Sequence, residues 1–177
     1  MSRPVFVGCD VQTTGVGFAA IDAATGAVAV HGWLPFRRGD DLEDAAAIAI
    51  NRMQRDLLRV NVRAIAVERV GGGRGVQSML AVANAAGVFA GMVRLRYDLA
   101  TLWRPTPAEW KQGIGLGGNA SKDDVRAAVR DIIAAGRTWV TVDIDGLRQD
   151  VCDAIGIAWA DRQAGVWASE APPPVGV

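Results

Sequence analysis

The sequence contains little cysteine, histidine and lysine, and it has no excess of charge of either sign. Its two cysteines, Cys9 and Cys152, are too few for a disulfide framework, and without a secretory leader pattern they indicate a cytoplasmic protein with free thiols. The single histidine, His31, leaves no Cys/His spacing typical of zinc sites. Because 19 basic residues balance 19 acidic ones, no overall positive field draws the chain to DNA or to an anionic membrane. Any binding of nucleic acid must therefore be local.

The length and composition fit one globular domain. A chain of 177 residues with 50% hydrophobic content can bury one core but is too short for two full domains. We expect a single domain over residues 1–168. Residues 169–177 include three consecutive prolines and are expected to form a disordered tail.

Residues 75–93 carry no charge, and their length approaches that of a membrane-spanning helix. Glutamine, serine and asparagine side chains, with alanine and glycine in place of leucine and isoleucine, argue against a lipid environment. We predict a helix of small residues that lies either in the core or at a dimer interface, and we expect no membrane partner.

Apolar runs bounded by turn residues predict five strands. The first begins at Val5 and the second follows Gly15, and the others cover residues 27–34, 64–67 and 100–103. Helical patterns cover residues 45–58, 75–93, 107–112, 122–133 after an N-cap at Ser121, and about 147–163. This order predicts an α/β domain in which a mixed five-stranded sheet is flanked by helices.

Four acidic residues stand at positions that suggest one site. Asp10 and Glu68 follow apolar runs of two predicted strands, where open α/β sheets place their ligands. Asp150 and Asp153 are three residues apart in a predicted helix and so share a face. Gathered carboxylates repel unless cations neutralise them, and oxygen ligands select hard ions such as Mg²⁺ or Mn²⁺. Spacing alone also allows a solvated helix face and a salt bridge at Glu68.

Four segments, in this order, resemble the RuvC family of Holliday junction resolvases, which have a ribonuclease-H-like fold. They are GCDVQTTGVGFAAID, AVERVGGGRGVQSMLAVANAAGV, WKQGIGLGGNASKDDV and QDVCDAIGIAWA. The resemblance implies that Asp10, Glu68, Asp150 and Asp153 are catalytic carboxylates that hold two Mg²⁺ or Mn²⁺ ions. It further implies a homodimer that nicks two opposed strands of a four-way DNA junction symmetrically, leaving 5′-phosphate and 3′-hydroxyl ends.

The same resemblance predicts residues that contact DNA. Lys111 and Lys122, the only lysines, match basic positions of the family, and Arg74 in a glycine-rich loop matches another. Each of these three basic residues could equally be a solvated surface residue with no role in DNA binding. The family often carries an aromatic residue shortly after the catalytic glutamate, whereas this chain has Arg69 and Val70 there. The substrate range therefore includes flaps and forks as an alternative to four-way junctions.

Two other classes of function stay open on sequence grounds. Actin-like and sugar-kinase-like phosphotransferases also open with a strand, an aspartate and a Thr/Gly hairpin, although the chain is short for a second subdomain. A DNA-binding protein that keeps the fold without catalysis is the other alternative. The opening motif and the tail differ from cellular RuvC proteins, which indicates a bacteriophage version acting in the cytoplasm of an infected cell, or else of a bacterium.

Overall fold

The computed structural model describes residues 3–70, 75–98, 100–136, 140 and 142–170, with side chains described as far as residue 165. Arg74 and residues 171–177 lie outside this part of the chain. The predicted DNA contact of Arg74 and the predicted tail at 169–177 therefore stay predictions.

Five strands within the described residues form one mixed sheet in the order β3-β2-β1-β4-β5. The strands are β1 (Arg3–Gln12), β2 (Gly15–Asp22), β3 (Val28–Pro35), β4 (Val60–Val67) and β5 (Thr101–Trp103). The first three strands are antiparallel neighbours, whereas β4 pairs in parallel with β1 and with β5. The predicted mixed five-stranded α/β sheet is confirmed.

A two-residue loop joins β1 to β2, since Gln12 pairs with Gly15. Gly15 has a φ of 151°, and a Cβ atom there would lie 2.5 Å from the carbonyl oxygen of Leu34. Only glycine satisfies both the backbone angle and this close contact. Gly15 thus allows β2 and β3 to lie in close contact at this end of the sheet.

Strand β4 is longer than the sequence pattern predicts. The pattern shows only residues 64–67, because these are buried, whereas residues 60–63 alternate between half-buried and exposed. The first part of the strand is fixed by parallel pairing of residues 60–62 with residues 3–5 of β1. Pairing across the sheet is not visible in a local hydrophobic run.

Helices cover both faces of the sheet. They are α1 (Leu42–Asp56), α2 (Val76–Arg96), α3 (Pro107–Gly113), α4 (Lys122–Ala135) and α5 (Gln149–Glu170). One buried cluster joins α1 and α2 to the sheet, and a second joins α3, α4 and α5 to its other face. Ser121 caps α4 as predicted, and its hydroxyl accepts a hydrogen bond from the backbone N–H of Asp124. Helix α5 begins two residues later than expected.

Helix α2 is only half-buried. Its inner face packs on the sheet through Val82, Ala85, Ala86, Phe89, Ala90 and Val93. On its outer face Val76 is 68% exposed and Leu80 is 61% exposed. By length and composition α2 alone among the described helices could span a membrane, but it is packed on the sheet, with one third of its most apolar window buried. Core placement thus holds for one face of the predicted small-residue helix.

Candidate active site

Two parallel strands bring Asp10 and Glu68 together. Asp10 lies in β1 and is 2% exposed, and Glu68 follows the last residue of β4. The backbone N–H of Glu68 donates to the carbonyl oxygen of Cys9 at 3.1 Å, which continues the parallel pairing beyond the strand. The two carboxylates therefore stand side by side at the carboxyl edge of the sheet.

Helix α5 brings Asp150 and Asp153 to the same edge because glycines let it approach the sheet closely. Gly17 pairs with Asp10 across the hairpin, and a Cβ atom on Gly17 would overlap the backbone carbonyl of Asp150. A Cβ atom on Gly8 would likewise overlap the carbonyl of Ala154. The close approach of helix and sheet thus sets the position of the aspartate pair.

Neutral donors orient three of the four carboxylates. Gln12 Nε2 donates to Asp10 Oδ1 at 2.9 Å. Trp110 Nε1 donates to Glu68 Oε1 at 2.7 Å, and Gln149 Nε2 donates to an oxygen of Asp153 at 2.8 Å. Each of these bonds engages one carboxylate oxygen.

The charges of the acids act on one another. Burial raises the pKa of Asp10 well above its ordinary value, and the charges of Glu68, Asp153 and Asp150 raise it further. Burial also raises the pKa of Glu68, although the bond from Trp110 lowers it. The pKa of Asp153 is raised by burial first and then by the charge of Asp150. Asp10, Glu68 and Asp153 thus share one electrostatic environment, to which the charge of Asp150 contributes.

Asp150 is engaged differently, by a cation of the same segment. Arg148 Nη2 lies 3.1 Å from Asp150 Oδ2, and the guanidinium also stacks on the ring of Trp33 at 4.0 Å from its centroid. In the part of the chain that the structure describes, no three Asp, Glu, His or Cys side chains stand as a ready-made metal-binding group. The chemistry of the set nevertheless fits a hard divalent cation, because its donors are carboxylate oxygens held partly out of water.

A pocket of about 220 Å³ opens over Asp10, Glu68 and Asp153. Lys111 and Lys122 also line it, so both predicted DNA contacts lie at the same opening as the acids. The Lys111 ammonium donates to the carbonyl oxygen of Ala120 at 2.7 Å. This bond joins the two ends of the glycine-rich segment at residues 113–119, which is distinct from the loop that carries Arg74. The pocket thus combines carboxylates and ammonium groups in its lining.

Sequence reasoning missed the residues that hold the acids in place. Trp110 looks like a packing residue in the sequence, yet it is 2% exposed and gives its one donor to Glu68. Gln12 lies two residues after Asp10 in a strand, and Gln149 lies four before Asp153 in a helix. These spacings place both amides beside their partners and are a signal that the sequence contains.

Comparison with known proteins gives matches among solved structures. No curated protein sequence matches the chain. A Thermus thermophilus RuvC structure is similar, with a TM-score of 0.74 and 18% identity over 93% of this chain and 96% of that chain. The T. thermophilus RuvC complex with a Holliday junction substrate gives a TM-score of 0.68 and 16% identity over 96% of this chain and 98% of the other.

At identities this low, the structural similarity establishes the shared ribonuclease-H-like fold and no more. The family relationship rests on a sequence profile, described as crossover junction endodeoxyribonuclease RuvC, that matches residues 6–160. The matched region contains β1, β4 and the start of α5, and hence all four carboxylates. The chain therefore belongs to the RuvC family of crossover junction endodeoxyribonucleases.

Proposed function

We propose that Asp10, Glu68, Asp150 and Asp153 are the residues with which this RuvC-family endonuclease hydrolyses the phosphodiester bonds of a Holliday junction. The observation that carries the proposal is the shared electrostatic environment of the acids at one edge of the sheet, where burial and mutual repulsion raise the pKa of Asp10. Carboxylates that bind no cation gain no stability from lying so close together, because they repel one another. Carboxylates that bind a divalent cation must lie close together to share it.

The four carboxylates would hold Mg²⁺ or Mn²⁺, in two sites. Divalent ions at such sites supply positive charge that activates a water and stabilises the leaving oxygen in phosphodiester hydrolysis. The hydrogen bonds from Gln12, Trp110 and Gln149 each engage one oxygen of their acid and thereby fix its orientation. The chain's own contribution is thus to hold its ligands in a set orientation.

Lys111 and Lys122 would contact the backbone phosphates of the DNA. Both line the pocket above the acids, and ammonium groups bind phosphates without reading the bases. A phosphate bound by these lysines would lie in the same pocket as Asp10 and Glu68. Arg74 would add a third contact from the glycine-rich loop.

The preferred DNA is a four-way junction, and flaps and forks are the second candidate. The observation that favours a broader range is Arg69 and Val70 after Glu68, where an aromatic residue could otherwise stack on bases at the junction centre. Family membership favours nuclease chemistry over the phosphotransferase alternative.

A homodimer would supply two identical sites for the two equivalent strands of a junction. The outer face of α2 is the surface we propose for the contact, since Val76 and Leu80 are largely exposed there and Gly87 and Gly91 leave open space above the helix. Light scattering of the purified protein tests this state. Leu80→Glu is expected to yield monomers, and a wild-type protein that is monomeric at all concentrations would contradict the proposal.

The expected compartment of the protein is the cytoplasm.

The test of the function is cleavage of labelled four-way junctions, flaps and linear duplex with Mg²⁺ or Mn²⁺. Paired symmetric nicks in the junction are expected from the wild type, and Asp10→Asn should lose cleavage while it still binds the junction. Asp161→Asn is the matched control, because it removes another buried acid outside the pocket. Cleavage of flaps alone would change the substrate, and full activity of Asp10→Asn would overturn the site.

A further inference from the structure

Two arginines flank Glu68 on the side of β5. Arg69 follows Glu68 directly, and Arg104 follows the last residue of β5. Arg104 Nε donates to the carbonyl oxygen of Val67 at 3.0 Å, and the backbone N–H of Arg69 donates to the carbonyl oxygen of Pro105 at 2.7 Å. The two strand ends are thus linked twice, and both arginines stand just beyond the carboxyl ends of the parallel strands β4 and β5, the sheet edge at which Glu68 lies.

The positive charges of Arg69 and Arg104 act on each other across the linked strand ends. The pKa of Arg104 is lowered by burial and by the positive charge of Arg69. Arg104 is half-buried, and among the described residues its terminal amino groups have no hydrogen-bond partner. Within the described part of the chain Glu109 is the only acid that forms an ion pair with Arg69, so the two arginines together keep a net positive charge. Two close guanidinium groups favour an anion between them.

The partner of Arg69 does not depend on it. Glu109 Oε2 lies 3.2 Å from Arg69 Nη2, with both side chains about half exposed (52% and 51%). The same oxygen accepts hydrogen bonds from the backbone N–H of Thr106 at 2.6 Å and from its hydroxyl at 2.9 Å. These bonds are the capping box of α3, so Glu109 keeps its place without the ion pair. Since an exposed ion pair contributes little to stability, Arg69 can exchange Glu109 for another anion at little cost.

We propose that Arg69 and Arg104 form a binding site for a backbone phosphate of the DNA next to the scissile phosphate, and that Glu109 competes with this phosphate for Arg69. The proposal rests on the proposed function, because it adds a further phosphate contact beside the contacts proposed for the lysines and Arg74. Guanidinium forks match the oxygen pairs of a phosphodiester, and the contact is independent of base sequence.

The experiment measures binding of a fluorescent four-way junction by anisotropy across a salt series, in the Asp10→Asn background with EDTA. Arg69→Gln and Arg104→Gln should each weaken binding and reduce the slope of log K against log salt by about one. Glu109→Gln should strengthen binding, because glutamine keeps the capping box but no longer neutralises Arg69. Arg59→Gln is the matched control, since Arg59 is exposed at the other end of β4, and it should leave binding unchanged.

The opposite signs separate a phosphate site from a structural role. Loss of a merely structural ion pair would make Glu109→Gln neutral or weaker in binding, and that result would overturn the proposal. Equal binding by Arg104→Gln and the background protein would also overturn it. Arg104→Lys keeps the charge and should keep the salt slope, which covers the case in which Arg104→Gln fails to fold.

Cleavage by the protein with its native Asp10 distinguishes failure of the phosphate site from failure of the proposed catalytic function. If it cleaves junctions but the arginine variants bind normally, the phosphate site fails alone. If it cleaves no branched DNA while the variants show the expected opposite signs, the proposed catalysis fails and the anion site stands.

Discussion

Asp161→Asn should stabilise the protein, and the gain should grow with pH. Asp161 lies on α5, about two turns beyond Asp153, and is 6% exposed. Its Oδ2 atom is buried without a hydrogen-bond partner among the described residues. Burial raises the pKa of Asp161 from its ordinary value of 3.8 to about 7. Between pH 3.8 and about 7 the folded chain therefore keeps a proton on Asp161 that the unfolded chain has lost.

The sign and size of the effect follow from linkage. Because the folded state binds the extra proton between pH 3.8 and about 7, stability falls as pH rises through this window. The slope is about 1.4 kcal/mol per pH unit, so the ionised carboxylate costs at most about 4 kcal/mol above the window. Between pH 5 and pH 8 the advantage of Asp161→Asn over wild type should grow by about 3 kcal/mol.

The assay is urea unfolding of both proteins at pH 5 and pH 8 without divalent ions. Other acids whose pKa is raised, such as Asp10 and Glu68, titrate in both proteins and cancel in the difference. Asp22→Ala is the contrasting variant, because alanine removes the acceptor oxygen that asparagine would keep. Asp22 is also buried, but its Oδ1 accepts three hydrogen bonds from residues 24 and 25, so its loss should destabilise by about 1–3 kcal/mol. An equal advantage of Asp161→Asn at both pH values would refute the reasoning.

Three further predictions concern the site. Trp110→Phe removes the hydrogen bond that lowers the pKa of Glu68, so the pH profile of cleavage should move to higher pH; an unchanged profile would contradict that role. Gly17→Ala forces a Cβ atom into the carbonyl of Asp150, and we expect a lower melting temperature by calorimetry together with loss of cleavage. Mg²⁺ should raise the melting temperature of the wild type but much less that of Asp10→Asn, whereas equal rises would locate ion binding elsewhere.

The sequence predicts the fold well where the information is local. Five apolar runs and the turn residues between them are enough for the strand count, and Ser121 is a recognisable cap. The first half of β4 could not be predicted, because its exposed positions are polar and only the pairing with β1 makes it a strand. The outer face of α2 was also hidden, since an uncharged helix looks the same whether it is buried on one side or all round.

The residues of the site also divide into those that local spacing predicts and those that depend on tertiary packing. The residues Gln12 and Gln149 could have been found, because each lies at a spacing that places it beside its acid. The bond from Trp110 to Glu68 joins residues 42 apart, and no local rule pairs them. The roles of Gly8 and Gly17 depend on where α5 crosses the sheet, which is a property of tertiary packing.

The docking of α5 has a consequence for the timing of activity. The acids come from the first strand, the fourth strand and the last described helix, and the last helix reaches its place through contacts at Gly8 and Gly17. A nascent chain that has released β1 and β4 from the ribosome still lacks half of its proposed ligands. If the four acids are the ligands we propose, DNA cleavage requires that α5 has docked on the sheet, and a nascent chain that ends before α5 would have no competent site.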